Sequence, residues 1–332
     1  MSAATATMSF GDRAKLWGVA VRAFSFPAHI VPIALGTAYA WYQTGNFSLL
    51  LMVLTIAAGL LYHVAVNLLN DYYDYKKGVD RPGTFGGSGV LTGNLMTPQQ
   101  VATGAYTCLG LGSLIGVYFV WRLSTMGGGP YQLGWPILLI GLIGLVGVLW
   151  YTSNSGSAKY NALGNPLVFL MFGPGYVLGT WVIQAQSTSL AQVWNPLLIS
   201  LPVGFLVAAI LHANDTRDIV DDRAAGIKTI ATIQGPTGAR QFFSFELFAP
   251  YVLLVLYVVV GFLSPDLKIL PLTGLLPLLT LPLAIPLHKL FWSVRDERSV
   301  ALMPSVEGTA KLHMAFGMLL TIGVILGHWV RL

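Results

Sequence analysis

The sequence predicts an all-α polytopic membrane protein with nine transmembrane helices and a cytoplasmic N-terminus. Of its 332 residues, 55% are hydrophobic and only 9% are charged, whereas soluble domains carry roughly 25% charged residues. Apolar stretches of membrane-spanning length recur from one end of the chain to the other. In addition, basic residues alternate between loops, which indicates an odd number of spans.

Nine stretches are long and apolar enough to cross about 30 Å of hydrocarbon. They cover residues 26–43, 49–70, 99–121, 134–152, 163–184, 195–213, 242–263, 270–291 and 310–330. With a cytoplasmic N-terminus, all of the 18 Lys and Arg residues except Arg122, Lys268 and Arg331 fall on inner loops. Merging or splitting any span would destroy this division, so we expect nine spans.

The chain is expected to form one transmembrane domain over residues 1–332, with residues 1–23 as a cytoplasmic N-terminal segment. Residues 24–40 also resemble a cleaved signal peptide, because a short apolar core precedes Ala-Tyr-Ala. Trp41 and Tyr42 continue the stretch with residues typical of a membrane interface, which favours a first span. A net charge of +5 spread over loops indicates membrane orientation rather than nucleic-acid binding, and a single cysteine excludes an intrachain disulfide.

Carboxylates are concentrated in two segments, residues 67–80 at the inner end of the second span and residues 212–223 at the same end of the sixth. Each contains Asn-Asp-x-x-Asp in the last turns of an apolar helix, which is a weak internal repeat. Residues three or four apart share a helical face, so each motif should present one polar stripe. The stripes comprise Asn67, Asp71, Asp74, Asp215, Asp218 and Asp222. Two similar motifs that face one compartment indicate one site.

The two motifs predict a site for a metal ion and a diphosphate. Carboxylates brought to about 4 Å repel by roughly 4 kcal/mol at an effective dielectric near 20, so a cation must offset them. Oxygen ligands of this kind suit Mg²⁺, whose coordination is usually completed by substrate phosphate oxygens. Basic side chains on the same side of the membrane are candidates for contacts with the phosphate oxygens. These are Lys77, Lys159, Arg217, Arg223 and Lys228.

Other polar residues near the motifs have simpler interpretations. We expect surface charges at Asp80, Asp221 and Arg240. His63 and His212 are expected to be packed polar residues, since neither has a second His or Cys at metal-ligand spacing. The glycine-rich segment 83–93 is interpreted as a flexible cytoplasmic linker, although its backbone could also approach a phosphate.

A magnesium–diphosphate site beside hydrocarbon favours one chemistry, the ionisation of a polyprenyl diphosphate. The lipid tail stays in the bilayer, while Mg²⁺ and basic side chains stabilise the leaving diphosphate. The allylic carbocation must then meet an electron-rich acceptor before it meets water, and a buried aromatic pocket permits this. The expected partners are a polyprenyl diphosphate, such an acceptor and membrane lipid.

These residues resemble the UbiA superfamily of intramembrane aromatic prenyltransferases, which have nine helices and Asp-rich motifs on the second and sixth. Residues 67–80 and 214–226, with Lys228 and Thr229, are most similar to the dihydroxynaphthoate prenyltransferases of menaquinone synthesis. The resemblance extends over nearly the whole chain. It implies a UbiA-type fold and an aromatic acceptor.

The resemblance also implies roles for the matching positions. The magnesium–diphosphate role falls on Asn67, Asp71, Asp74, Asp215, Asp218 and Asp222, with catalytic roles for the aspartates at 71, 74, 215 and 218. Substrate binding falls on Asn67, Asn70, Lys77, Lys159, Asn214, Arg217 and Lys228. Tyr151 is expected to line the catalytic pocket near the acceptor or the carbocation. One position departs from the menaquinone enzymes, because Asn165 stands where they commonly have Asp or Glu, and an amide cannot act as a general base.

The favoured function is Mg²⁺-dependent transfer of a polyprenyl group to 1,4-dihydroxy-2-naphthoate, with loss of its carboxyl group, to give demethylmenaquinone. The departure at Asn165 leaves other acceptors open, namely homogentisate, 4-hydroxybenzoate, a porphyrin or a glycerol phosphate lipid. An ion-coupled transporter is the alternative of another class, but carboxylates clustered at one membrane face argue against it. The expected location is a bacterial inner membrane, with the active site facing the cytoplasm.

Overall fold

The computed structural model describes residues 8–82, 86–126, 134–153, 156–187, 190–294 and 300–330. Three basic residues that entered the orientation argument, Arg295, Arg298 and Arg331, lie outside these ranges, as does Gly83 of the glycine-rich segment. Helices dominate the described ranges, and an isolated parallel bridge pairs Asn161 with Lys228.

The described residues form twelve α-helices in chain order. They are α1 (Phe10–Ala20), α2 (Pro27–Thr44), α3 (Leu49–Lys76), α4 (Pro98–Met126), α5 (Gly134–Tyr151), α6 (Gly164–Leu170), α7 (Tyr176–Ala185), α8 (Leu190–Arg217), α9 (Ile219–Ala224), α10 (Ile230–Leu263), α11 (Leu281–Ser293) and α12 (Met303–Trp329). A π-helical turn, Met171–Gly175, joins α6 to α7, and a 3₁₀ segment, Leu272–Thr280, precedes α11. These joined pairs each make one membrane-crossing segment.

Nine segments of the described chain are long and apolar enough to cross a membrane, which confirms the predicted number. The largest difference from the prediction is the start of the seventh, at Ile230 instead of residue 242, although a kink at the non-helical Gly235 (φ 70°, ψ 176°) separates its first residues from the rest. Thr229 begins that helix with a capping box, in which its side chain accepts from Thr232 N and Thr232 Oγ1 accepts from Thr229 N. The first turns are polar, so hydropathy alone could not assign them to the span.

Close helix packing depends on bare glycine surfaces. A Cβ on Gly36 of α2 would lie only 2.7 Å from the carbonyl oxygen of Val177 in α7, and one on Gly173 only 2.8 Å from the Cα of Gly204 in α8. In a membrane, where burial from water does not drive association, such close contact supplies much of the attraction between helices. These crossings hold α2, α7 and α8 together on one side of a cavity.

The second acidic motif differs from the expected continuous helix. Helix α8 ends at Arg217, and Asp218 (φ −96°, ψ 8°) leads into the short helix α9. Hydrogen bonds still cross the break, from Asp218 N to the Asn214 oxygen at 3.0 Å and from Asp222 N to the Asp218 oxygen at 2.8 Å. The chain therefore bends at Asp218, while backbone hydrogen bonds of helical spacing continue from α8 into α9.

Candidate active site

A cavity of about 800 Å³ lies between helices α3 to α8. Along α3 it extends from Asp74 to Thr55, which is about 28 Å at the helical rise of 1.5 Å per residue. The deep part is apolar, whereas one end collects polar side chains of both motifs and their neighbours. The polar lining comprises Arg22, Asn67, Asn70, Asp74, Asp80, Tyr151, Lys159, Asn214, Asp215, Asp218 and Asp222. Asp71 is buried but does not line the cavity.

Asp74 is a buried carboxylate of the first motif that accepts two hydrogen bonds from side chains. It is 1% exposed, and it accepts a 2.5 Å hydrogen bond from Lys159 Nζ and a short one from the Tyr160 hydroxyl. Lys159 also donates to Asn70 Oδ1 at 2.9 Å. Burial opposes charge on Lys159, but Asp74 with the hydroxyls of Tyr151 and Tyr160 holds the pKa of the ammonium above its ordinary value. Lys159 is therefore a fixed cation at the cavity wall.

Asp71 is paired with Arg22, a residue that the sequence analysis did not assign to the site. The Arg22 Nη2 lies 2.5 Å from Asp71 Oδ1 and donates to the Gly86 carbonyl at 3.0 Å, while Ser88 N donates to Asp71 Oδ2 at 3.2 Å. In the sequence, Arg22 precedes the first span on the side of the membrane that carries both motifs. That position could have indicated that Arg22 belongs to the site. The arginine brings the end of α1 and the loop after α3 to the same carboxylate.

The glycine-rich segment after α3 is not a flexible linker over its described part. Val90 and Leu91 are buried against Leu68 of α3, and residues 86–88 contact Arg22 and Asp71. The linker interpretation was wrong because it relied on glycine content alone, whereas the buried Val90 and Leu91 anchor the loop. Asp80 is also not a surface charge, since it is 8% exposed and lines the cavity. Burial, with Asp74 and Asp71 nearby, raises the pKa of Asp80 to about 6.

The second motif faces the same polar end as the first. Arg217 Nε donates to Asp218 Oδ1 at 2.7 Å. Burial raises the pKa of Asp222 to about 7, and although Lys159 opposes the shift, the carboxylates of Asp218 and Asp74 add to it. Asp74 belongs to the first motif, so the two acidic motifs share one electrostatic environment. The repeat seen in the sequence corresponds to one site in the fold.

Four predicted basic contacts, Lys77, Arg217, Lys228 and the exposed Arg223, lie outside the cavity lining. Lys77 Nζ donates to the Ser153 carbonyl at 2.7 Å and lies 4.1 Å from the centre of the Tyr160 ring. Arg217 is paired with Asp218. Lys228 acts through its backbone, because its carbonyl accepts from Ala162 N at 2.6 Å and its N–H donates to the Tyr160 oxygen at 3.2 Å. That exchange ties the loop after α9 to the connection between α5 and α6.

The profile of the UbiA prenyltransferase family matches residues 30–325, which include both acidic motifs and most of the cavity lining. The chain belongs to the UbiA prenyltransferase family. It is therefore a prenyltransferase and an integral membrane protein, and the predicted family is confirmed.

Two relatives of known name match almost the full chain. The UbiA prenyltransferase domain-containing protein 1 of Xenopus tropicalis is 32% identical over 320 residues, which are 96% of this chain and 84% of that protein. The 1,4-dihydroxy-2-naphthoate octaprenyltransferase of Bacillus subtilis is 29% identical over 314 residues, 95% of this chain and 93% of that one. Among solved structures, a UbiA homologue from Archaeoglobus fulgidus bound to GPP and Mg²⁺ has a TM-score of 0.58 at 16% identity, covering 93% of this chain and 99% of that chain. This likeness confirms the UbiA-type fold.

The donor set of the polar end fits Mg²⁺. Among the described residues, no three acidic, histidine or cysteine side chains converge into a ready-made metal site, and instead basic side chains hold three of the carboxylates. The cavity nevertheless collects amide and carboxylate oxygens from two helices, and burial with mutual repulsion leaves Asp222 with a raised pKa. Mg²⁺ prefers hard oxygen ligands, and an excess of negative charge around them attracts it. A divalent cation bound there would relieve that repulsion.

Position 165 lies outside the cavity lining of this UbiA-family protein. Asn165 is buried and donates to the Ala208 carbonyl of α8 at 3.1 Å. The carboxyl group of Glu246, which is 1% exposed in α10, lies near this amide. A carboxylate therefore does lie beside position 165, but another helix supplies it. The sequence could not reveal this pairing, since 81 residues separate the two positions.

Proposed function

We propose that this enzyme transfers a polyprenyl group from its diphosphate to 1,4-dihydroxy-2-naphthoate, with Mg²⁺ as the cofactor. The observation that carries the proposal is the continuity of one cavity from two acidic motifs into an apolar space about as long as the bilayer is thick. Similarity to a dihydroxynaphthoate octaprenyltransferase over 95% of the chain supports the acceptor. The product is the reduced form of demethylmenaquinone.

The polar end would bind the diphosphate and the deep end the lipid tail. Mg²⁺ would be held by oxygen atoms of Asn67, Asp74, Asp215, Asp218 and Asp222. Asp71 would act indirectly, because it is paired with Arg22, which lines the same end of the cavity. When bound, it supplies Lewis-acid stabilisation of the charge on the leaving diphosphate. Lys159 and Arg22 line the same end and contribute positive charge to the phosphate oxygens.

Bond changes in the proposed reaction balance without an added oxidant. The bond between the first prenyl carbon and the diphosphate oxygen breaks, and its electron pair leaves with the diphosphate. The ring carbon that carries the carboxylate supplies the electrons of the new carbon–carbon bond. Loss of carbon dioxide then returns an electron pair to the ring, which becomes aromatic again as a quinol.

The aromatic wall of the cavity protects the cationic stage. Tyr151, Tyr62 and Phe172 line the cavity, and Tyr176 closes it against α3 by donating to the Gly59 carbonyl at 3.2 Å. Aromatic faces attract cations, and exclusion of water prevents hydrolysis of the prenyl group. We assign Tyr151 to the catalytic wall because it is the one that lies at the polar end, within the electrostatic range of Lys159.

The distribution of basic residues supports a proposal for the arrangement in the cell. We propose a single domain in a bacterial inner membrane, with the polar end of the cavity towards the cytoplasm. The positive-inside distribution supports this orientation, because the loops that carry both acidic motifs are also the basic ones. Reactivity of single introduced cysteines towards an impermeant maleimide in intact cells tests the orientation.

Acceptor identity is tested by competition in one assay. Purified protein, Mg²⁺ and a labelled polyprenyl diphosphate are incubated with equal amounts of dihydroxynaphthoate, homogentisate and 4-hydroxybenzoate. We expect the label in a decarboxylated naphthoquinol. Label in another prenylated product would contradict the acceptor while keeping the enzyme class, and a porphyrin and a glycerol phosphate lipid complete the panel.

A further inference from the structure

Asn67 is attached to the cavity wall through its amide nitrogen. Its Nδ2 donates to the Val21 carbonyl oxygen at 3.0 Å and to Ser25 Oγ at 3.4 Å. A backbone carbonyl only accepts hydrogen bonds, so the nitrogen and not the oxygen of the amide must face Val21. Both amide protons are then used on the wall. The Oδ1 atom is left as the polar atom that Asn67 presents to the cavity it lines.

Ser25 and His63 complete this arrangement. Ser25 Oγ donates to the Arg22 carbonyl at 2.7 Å and lies 2.7 Å from His63 Nε2. A hydroxyl carries one proton, so with that proton on the Arg22 carbonyl the His63 Nε2–H is the donor to Ser25. The two lone pairs of Ser25 Oγ accept from His63 and from Asn67. All hydrogen-bonding positions of the hydroxyl are therefore occupied.

Aromatic neighbours fix the His63 ring itself. His63 is 5% exposed, and its ring meets Phe26 and Phe172 edge-on at centroid distances of 6.0 and 5.6 Å. The ring of His29 lies 5.2 Å away on another side. His63 also precedes Asn67 by one helical turn on the same face of α3. A ring held in this way keeps its Nε2 directed at Ser25.

We propose that His63 and Ser25 are positioning residues that hold the Asn67 amide with its oxygen towards the metal–diphosphate site. The inference rests on the proposed function, because it makes Asn67 Oδ1 an oxygen ligand of the divalent cation. Both residues line the cavity, but they would act on the cation through the Asn67 amide and not as its ligands. Without them the amide keeps only its bond to the Val21 carbonyl, and rotation that turns the NH₂ group towards the cation, which it repels, becomes easier.

Mn²⁺ binding, measured by electron paramagnetic resonance, tests the proposal without turnover. The probe is Mn²⁺ with full-length protein and a prenyl thiodiphosphate that does not ionise. Loss of a residue that orients a metal ligand weakens metal binding by roughly 10–100-fold, so Ser25→Ala and His63→Phe should each weaken it by about tenfold or more. His63→Gln places an amide N–H near the position of Nε2, and should stay within about threefold of wild type.

A matched control is His29→Phe, which alters the neighbouring ring but none of the hydrogen bonds to Asn67. It should also leave Mn²⁺ binding within about threefold. A purely structural role for His63 predicts the opposite order, because Phe packs among aromatic rings better than Gln does. Wild-type binding by His63→Phe, or an equal loss in His63→Gln, would overturn the proposal. Failure of the wild-type protein to bind Mn²⁺ with the analogue would instead overturn the proposed function.

Discussion

Lys159 donates a 2.5 Å hydrogen bond to Asp74 across 85 positions of the sequence. Asp74 lies in the last turn of α3, and Lys159 lies in the connection between α5 and α6, whose backbone also pairs with Lys228. The buried carboxylate of Asp74 thus joins α3 to the connection between α5 and α6, which is itself tied to the segment after α9. Under the proposed function, Lys159 and a divalent cation compete for this carboxylate.

Replacing Lys159 with Met should destabilise the ligand-free protein. Asp74 would stay buried without its cationic partner, and breaking a buried pair in this way costs about 3–5 kcal/mol. Mg²⁺ should then raise the thermal midpoint of Lys159→Met more than that of wild type, because it supplies the missing charge. Thermal unfolding in detergent with and without Mg²⁺ measures both effects. Lys77→Met is the control, since Lys77 is exposed, and an equal loss there would contradict the account.

Asp74→Asn and Asp218→Asn should each lower turnover by about a hundredfold or more, because each removes a charged oxygen from the polar end; Asp74→Asn should also lose stability, because Lys159 loses its charged partner. Product formation by the purified variants measures turnover, and size-exclusion chromatography checks the fold. Glu307→Gln is the matched charge control, as its pair with Lys311 is exposed and should contribute little. Near-wild-type turnover of both aspartate variants would contradict the proposed metal site.

Asp80 predicts a pH dependence of stability. Burial raises its folded-state pKa to about 6, so the folded protein binds the proton more tightly than the unfolded chain does. Its contribution is therefore present below about pH 4 and is lost as pH rises through about 6, an effect of at most about 3 kcal/mol. Asp80→Asn should flatten the stability curve in this window and be more stable than wild type at neutral pH. Asp266→Asn, at an exposed turn, should not; equal pH curves for wild type and Asp80→Asn would contradict the assignment.

Asn165 and Glu246 should be energetically coupled. Asn165→Leu removes a polar neighbour from a buried carboxyl group, and leaving such a group without a hydrogen-bond partner costs roughly 1–3 kcal/mol. Adding Glu246→Leu removes the stranded group, so the double variant should be more stable than Asn165→Leu alone. A double-mutant cycle of unfolding free energies measures the coupling. Strictly additive losses would show that the two side chains do not interact.

The membrane architecture could be predicted from the sequence because a bilayer imposes a local rule. Each span needs about 20 apolar residues with internal hydrogen bonds, and that rule is readable in any short window. The position of both acidic motifs at one membrane face followed from the same spans and the basic loops. The start of α10 at Ile230 escaped, since a capping box and not hydropathy determines it.

The partners of the site carboxylates could not be predicted in the same way. Arg22 and Tyr160 reach Asp71 and Asp74 only through tertiary packing, and neither lies in the acidic motifs. Similarly, Glu246 of α10 lies beside Asn165 of α6 because both helices pack on α8. Sequence pattern identifies which residues carry charge, whereas the fold decides which opposite charge each one meets.

Product formation by the purified wild-type protein tests the central claim most directly. The protein in detergent receives dihydroxynaphthoate and a polyprenyl diphosphate, with either Mg²⁺ or EDTA, and the products are identified by mass spectrometry. The account predicts a prenylated, decarboxylated naphthoquinol and free diphosphate with Mg²⁺ and neither with EDTA. The same product at an undiminished rate in EDTA, or no prenylated naphthoquinol with Mg²⁺, would contradict it.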